Sequence, residues 1–157
     1  MARILSLTEA VAQAAEWRRE GRRVVFTNGV FDILHPGHVR YLAEARRQGD
    51  ALIVGVNADA SVRRLGKAPD RPINPESERA EVLAALAAVD AVVVFGEDTP
   101  LEVITALQPD VLVKGADWAL EAIVGREVVE GRGGRVVRVP LSEGHSTTAI
   151  LERLRRS

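Results

Sequence analysis

Short apolar segments alternate with helix-patterned segments along the whole chain, and this alternation leaves few folds open. Val24-Val25-Phe26, Leu52-Ile53-Val54-Gly55-Val56, Ala91-Val92-Val93-Val94-Phe95, Val111-Leu112-Val113 and Val136-Val137-Arg138-Val139 read as strands. They are almost continuously hydrophobic, so both faces of their sheet must be covered. Between them the pattern predicts helices over residues 7–20, about 37–48, 75–88 and 101–107, with a last helix starting near Ser146 or Thr147. Ser6 and Glu9 form a capping box for the first helix, and Gly21 closes it. Val82, Leu83 and Leu86 are expected on one face of the third, and Ile150, Leu151 and Leu154 on the last. The expected fold is α/β, an open, doubly wound parallel sheet of five strands. It forms a single domain over residues 1–157 that buries about 70% of its unfolded surface. Right-handed crossovers then place the ligand-binding loops at the carboxyl ends of the strands, around the switch point. The long connection from Asn57 to Pro75 reads as a functional loop.

Composition removes whole classes of function. The chain has no cysteine, which excludes disulfides, thiolate metal sites and cysteine nucleophiles. A formal net charge of −1 gives no global field for nucleic acid or anionic membrane, so neither is expected as a partner. No apolar run approaches the ~20 residues that span a bilayer. Glu9, Gln13 and Glu16 interrupt any leader-like core, so the expected location is cytoplasmic.

Two of the three histidines lie in the turn after the first predicted strand, Thr27-Asn28-Gly29-Val30-Phe31-Asp32-Ile33-Leu34-His35-Pro36-Gly37-His38. A strand-to-helix turn offers backbone N–H groups and a positive helix end to an anion. Pro36 suits the first helical position, and Gly37 and Gly29 leave room for a ligand near the backbone. The third histidine lies in Gly144-His145-Ser146-Thr147-Thr148, at the start of the last helix. The pattern reads as a phosphate-handling site. Other readings of the same residues are a His-x-x-His zinc pair, or a core histidine beside a helix cap. The dinucleotide fingerprint is missing, because Gly131-Arg132-Gly133-Gly134 precedes a strand. The P-loop is missing too, because Gly66-Lys67 is followed by Ala68.

His35-Pro36-Gly37-His38 resembles the His-x-Gly-His motif of the nucleotidyltransferase superfamily, the cytidylyltransferase-like proteins. The resemblance extends through Gly55-Val56-Asn57-Ala58-Asp59, Arg71-Pro72-Ile73-Asn74-Pro75, Val113-Lys114-Gly115-Ala116-Asp117-Trp118 and Glu143-Gly144-His145-Ser146-Thr147-Thr148. Within that superfamily the chain looks most like the adenylyltransferases acting on D-glycero-β-D-manno-heptose 1-phosphate, in stand-alone form. The resemblance implies a Rossmann-like sheet, transfer of AMP from ATP to a sugar 1-phosphate, Mg²⁺ travelling with the phosphates, and a homodimer. It implies catalytic roles for His35, His38 and Lys67. Nucleotide contacts are implied for Thr27, Asn28, Gly29, Phe31, Gly37, Lys114, Gly115, Ser146, Thr147 and Thr148 as well as the two histidines. Asn57, Asp59, Arg79, Asp117 and Trp118 are implied at the acceptor substrate, and no protein metal ligand is implied. Plainer readings stand beside three of these: Lys67 facing solvent, Arg79 in a surface ion pair, Trp118 filling core. The alternatives at the level of function are a cytidylyltransferase for glycerol 3-phosphate and a non-catalytic nucleotide-binding module.

Overall fold

The computed structural model describes every residue of the chain except Lys67 and Glu143. Six parallel strands form one sheet: β1 (Arg3–Leu5), β2 (Val24–Gly29), β3 (Ala51–Asn57), β4 (Ala91–Phe95), β5 (Val111–Gly115) and β6 (Arg135–Val139), in the order β1-β4-β3-β2-β5-β6. The helices are α1 (Leu7–Arg19), α2 (Pro36–Arg47), α3 (Asp59–Arg64), α4 (Glu76–Ala84), α5 (Leu101–Leu107), α6 (Arg126–Gly131) and α7 (Thr147–Arg156). The doubly wound parallel sheet is as expected, with one more strand than the five anticipated. The extra strand is β1, an edge strand of three residues whose Arg3 and Ile4 are exposed and whose Leu5 is buried, too short to leave an apolar run.

Alternate residues of each central strand feed two cores. Val24, Phe26, Ile53 and Val93 pack against α1, α5 and α6 on one face. Val25, Leu52, Val54 and Val92 pack against α2 and α4 on the other. This two-sided burial is the physical reason the strands read as unbroken hydrophobic runs. Three helix expectations need adjusting. The third predicted helix, 75–88, is α4 over Glu76–Ala84 only, and its Val82 is half exposed while Leu83 is buried. Leu154 of α7 is also exposed, leaving Leu151 as that helix's buried apolar residue. The Asn57–Pro75 connection is not all loop, because it holds α3.

The amino ends of the strands are fastened by a repeated carboxylate device. Asp50, Asp90 and Asp110 each precede a strand. Each takes a backbone N–H at 2.8 Å from the beginning of a neighbouring strand or the residue just before it, from Arg23, Leu52 and Val24 respectively. Each returns its own N–H to the carbonyl of that same residue, at 2.8, 2.9 and 2.9 Å. Among the described residues the carboxyl ends have no such paired carboxylate device. There β2 continues to pair with β3 as far as Gly29–Val56, while its recorded pairing with β5 stops at Phe26–Leu112. The two neighbours of β2 thus part at the switch point.

Candidate active site

A cavity of about 780 Å³ opens where β2 and β5 separate. Its floor begins with Asn28 and Gly29 at the end of β2. Phe31 follows in the left-handed region at φ 51°, a conformation that costs a bulky residue energy and recurs at functional turns. The ring folds back over Gly29, where a Cβ would stand 2.9 Å from Phe31 Cε2. Glycine is needed there to admit the aromatic ring, a different reason from the ligand clearance expected.

His35 is the N-cap of α2, and its Nδ1 accepts the Gly37 N–H at 3.1 Å. An accepting Nδ1 leaves the ring proton on Nε2, so the neutral imidazole is a donor there. His38 stacks on it with centroids 3.8 Å apart, and the His145 ring lies 6.3 Å from that of His35. Gly37 makes this gathering possible, because a Cβ would come within 2.8 Å of the His35 ring and 3.2 Å of His145 Cβ. All three histidines therefore border the cavity. Burial holds the His35 pKa below its ordinary value, and repulsion from His145 adds to the shift. In an NMR titration of the ligand-free protein the His35 midpoint is expected below 6.5. Saturation with a nucleoside triphosphate is expected to raise it, because an anion favours the imidazolium. A ligand-free midpoint at or above 6.5 would show the ring to be fully solvated.

The facing wall is α7. Ser146 caps it by accepting the Ala149 N–H at 2.9 Å, and Thr147 Oγ1 donates to Ile33 O at 3.2 Å. That bond ties α7 to the loop carrying His35, so two helix N-termini address one cavity. The first-turn amides of α7, which no helix carbonyl can reach, and the hydroxyl of Thr148 complete that wall. At the third side stand Lys114, Gly115, Asp117 and Trp118, with Lys114 Nζ 5.2 Å from the centre of the half-exposed Trp118 ring.

Most residues expected at the site are thus assembled around this cavity, and four are not. Thr27 is buried behind it, bonded to Tyr41 and to Val113 O. Asn57, Asp59 and Arg79 form a network beneath the floor. The fully buried Arg79 guanidinium donates to Val30 O, Asn57 O, Asn74 O and the Asp59 carboxylate at 2.7–2.9 Å. Asp59 and Glu76 exchange backbone-to-carboxylate bonds of 2.9 Å, joining the starts of α3 and α4. Arg79 is accordingly neither at the cavity nor in a surface pair. It holds the carbonyl ends of the β2 and β3 loops together. Lys67 lies outside the described residues, though its neighbour Ala68 lines the cavity.

Sequence reasoning missed three residues that structure the site. Asp32 is buried, and its carboxylate accepts Arg71 Nε at 2.6 Å, Ile73 N at 2.8 Å and Asn74 N at 2.9 Å. It thereby draws the 71–74 segment against the histidine turn and sets Arg71 at the cavity wall. The third is Tyr41, whose position three residues after His38 on the helix was the available signal.

Residues 26–153 match the cytidylyltransferase-like family. The chain belongs to that family. Among its relatives, the bifunctional protein HldE of Hyphomonas neptunium is 56% identical over 150 residues, covering 96% of this chain and 31% of the relative. The bifunctional protein HldE of Bradyrhizobium diazoefficiens is 60% identical over 144 residues, covering 92% of this chain and 29% of the relative. The chain thus spans about 30% of the length of these curated relatives. Among solved structures, a lipopolysaccharide core biosynthesis protein from Thermoplasma volcanium has a TM-score of 0.65 and 31% identity, over 80% of this chain and 100% of that one. Pantoate-β-alanine ligase from Francisella tularensis shares the fold, with a TM-score of 0.64 at 12% identity, over 91% of this chain and 68% of that one. Among the described residues no helix is long and apolar enough to cross a membrane.

Proposed function

We propose that this cytidylyltransferase-like chain transfers AMP from ATP to a sugar 1-phosphate, D-glycero-β-D-manno-heptose 1-phosphate, and releases pyrophosphate. The observation that carries the reading is the convergence of three imidazoles and the N-terminus of α7 on one cavity at the switch point. The sugar is supported by the motif resemblance, by the identity to HldE proteins and by the likeness to a lipopolysaccharide core biosynthesis protein.

An oxygen of the acceptor phosphate attacks the α-phosphorus of ATP and forms the new P–O bond. The bond from that phosphorus to the oxygen bridging to the β-phosphate breaks on the opposite side, and pyrophosphate leaves with the electron pair. No covalent enzyme intermediate is needed, so the protein's work is positioning and charge stabilisation. His35, as the Nε2–H tautomer, donates to a phosphate oxygen, and His38 and the α7 amides supply further donors. Lys114 adds a point charge, Asp117 accepts hydrogen bonds donated by hydroxyls, and Trp118 offers a ring face to the sugar or base. Among the described residues no group of three His, Cys, Asp or Glu side chains could hold a metal. Mg²⁺ would accordingly enter with the triphosphate, bound by its oxygens and by water. Use of ATP as donor argues for a cytoplasmic site of action, and we extend the proposal to a homodimer.

Pyrophosphate release from the purified protein tests the reading. ATP, CTP and GTP are each offered with heptose 1-phosphate and with glycerol 3-phosphate. Release is expected with ATP and the heptose phosphate. Release with CTP alone would replace adenylyl by cytidylyl transfer, and no release with any pair would leave a nucleotide-binding module.

A further inference from the structure

Tyr41 stands on α2, three residues after His38, and borders the cavity. Its hydroxyl lies 2.8 Å from Thr27 Oγ1 on β2 and 3.2 Å from Val113 O on β5. Thr27 Oγ1 is itself 2.9 Å from the same carbonyl. The place of this junction follows from the topology. The β2–β5 ladder ends at Phe26–Leu112, and one residue further on, where the strands part, two hydroxyls meet the Val113 carbonyl.

Two hydroxyl protons serve three contacts, and a carbonyl oxygen has two lone pairs, so the hydrogens have three consistent arrangements. Both hydroxyls donate to Val113 O, or Tyr41 donates to Thr27 and Thr27 to Val113 O, or Thr27 donates to Tyr41 and Tyr41 to Val113 O. Each arrangement satisfies the carbonyl and binds α2 to the opening strands. Burial, with the nearby Asp117 charge, pushes the phenol pKa up to about 12, so the donor persists across the working range of pH.

We propose that Tyr41 is a positioning residue, whose hydroxyl sets the histidine helix against the end of β5, where Lys114 and Gly115 follow Val113 directly. His35 and His38 ride on α2, and Lys114 rides on β5. The hydroxyl thus ties the helix carrying one group of phosphate ligands directly to the strand carrying the other. An error of 1 Å in such an arrangement can cost about 100-fold in rate. Thr27 acts in the same junction from within the sheet, which accounts for a buried hydroxyl at the end of a hydrophobic strand.

Tyr41→Phe removes the hydroxyl, keeps the ring and leaves Thr27 to satisfy Val113 O. The kinetic consequence rests on the nucleotidyl transfer proposed above. Expected is a fall in kcat of about tenfold or more, with KM for the nucleotide within about twofold. An unchanged kcat, or a raised KM at unchanged kcat, would overturn the proposal. A second readout is independent of turnover. The chain has three histidines, so its imidazole ¹⁵N spectrum is simple. Tyr41→Phe is expected to shift the His38 and His35 signals, and unmoved signals would overturn the proposal even if the protein proved inactive with every substrate pair. A third readout is stability. Either single variant, Tyr41→Phe or Thr27→Val, leaves one donor for Val113 O, whereas the double variant leaves none. The double variant is expected to lose more stability than the sum of the singles, and simple additivity would show that the hydroxyls do not share the carbonyl.

Discussion

Alanine in place of His35 is expected to lower pyrophosphate release by about 10²–10³-fold, the usual cost of deleting one donor aimed at developing charge. The side chain has two occupations, and they need separating. Its Nδ1 caps α2 through the Gly37 N–H, so alanine should also cost about 1 kcal/mol of stability. His35→Asn isolates the chemistry, because asparagine is a good cap but lacks the imidazole's reach to a phosphate. Both variants should be nearly inactive, and only the alanine variant should melt lower. Recovery of turnover in His35→Asn would show that the histidine matters as a cap alone. Steady-state kinetics and thermal melts of the two proteins decide the matter.

Asp32→Ala should have the largest effect on stability. The carboxylate is fully buried and its partner guanidinium, on Arg71, is only 8% exposed. Removing one member of a buried ion pair strands the other, at a cost of about 3–5 kcal/mol. The N–H groups of Ile73 and Asn74 lose their acceptor in the same step. Because Arg71 also borders the cavity, nucleotide affinity should fall together with the urea midpoint. Asp32→Ala combined with Arg71→Met removes both charges and should regain part of the loss. A single variant within about 1 kcal/mol of wild type would mean that water reaches the pair.

The fold was legible in the sequence because each central strand is buried on both sides, and such strands leave unmistakable apolar runs. Strand β1 escaped notice for the opposite reason. It lies at an edge, and only Leu5 of its three residues enters a core. Around the site, the histidine turn and the Ser146-Thr147-Thr148 cap announced themselves through helix-start chemistry. Arg79 did not. Its sequence readings are a substrate contact or a surface pair with Glu76 and Glu78, and only the tertiary structure brings three carbonyls to its guanidinium. Asp32 and Arg71 are separated by 39 positions, so their pairing leaves no local pattern. Phe31 likewise carried no sign that its backbone would turn left-handed, a conformation that ordinarily calls for glycine or asparagine.

The carboxylate fastenings under the strands give the molecule a mechanical polarity. At Asp50, Asp90 and Asp110 neighbouring strands are stitched by paired bonds that leave them no freedom to slide. At the opposite end β2 and β5 are already apart. Between β2 and β5 the sheet is therefore clamped at one end and open at the other, and adjustment to an incoming ligand is expected where these two strands part. Loops and helix starts there can close on a substrate while the two cores, held at the clamp, keep their packing.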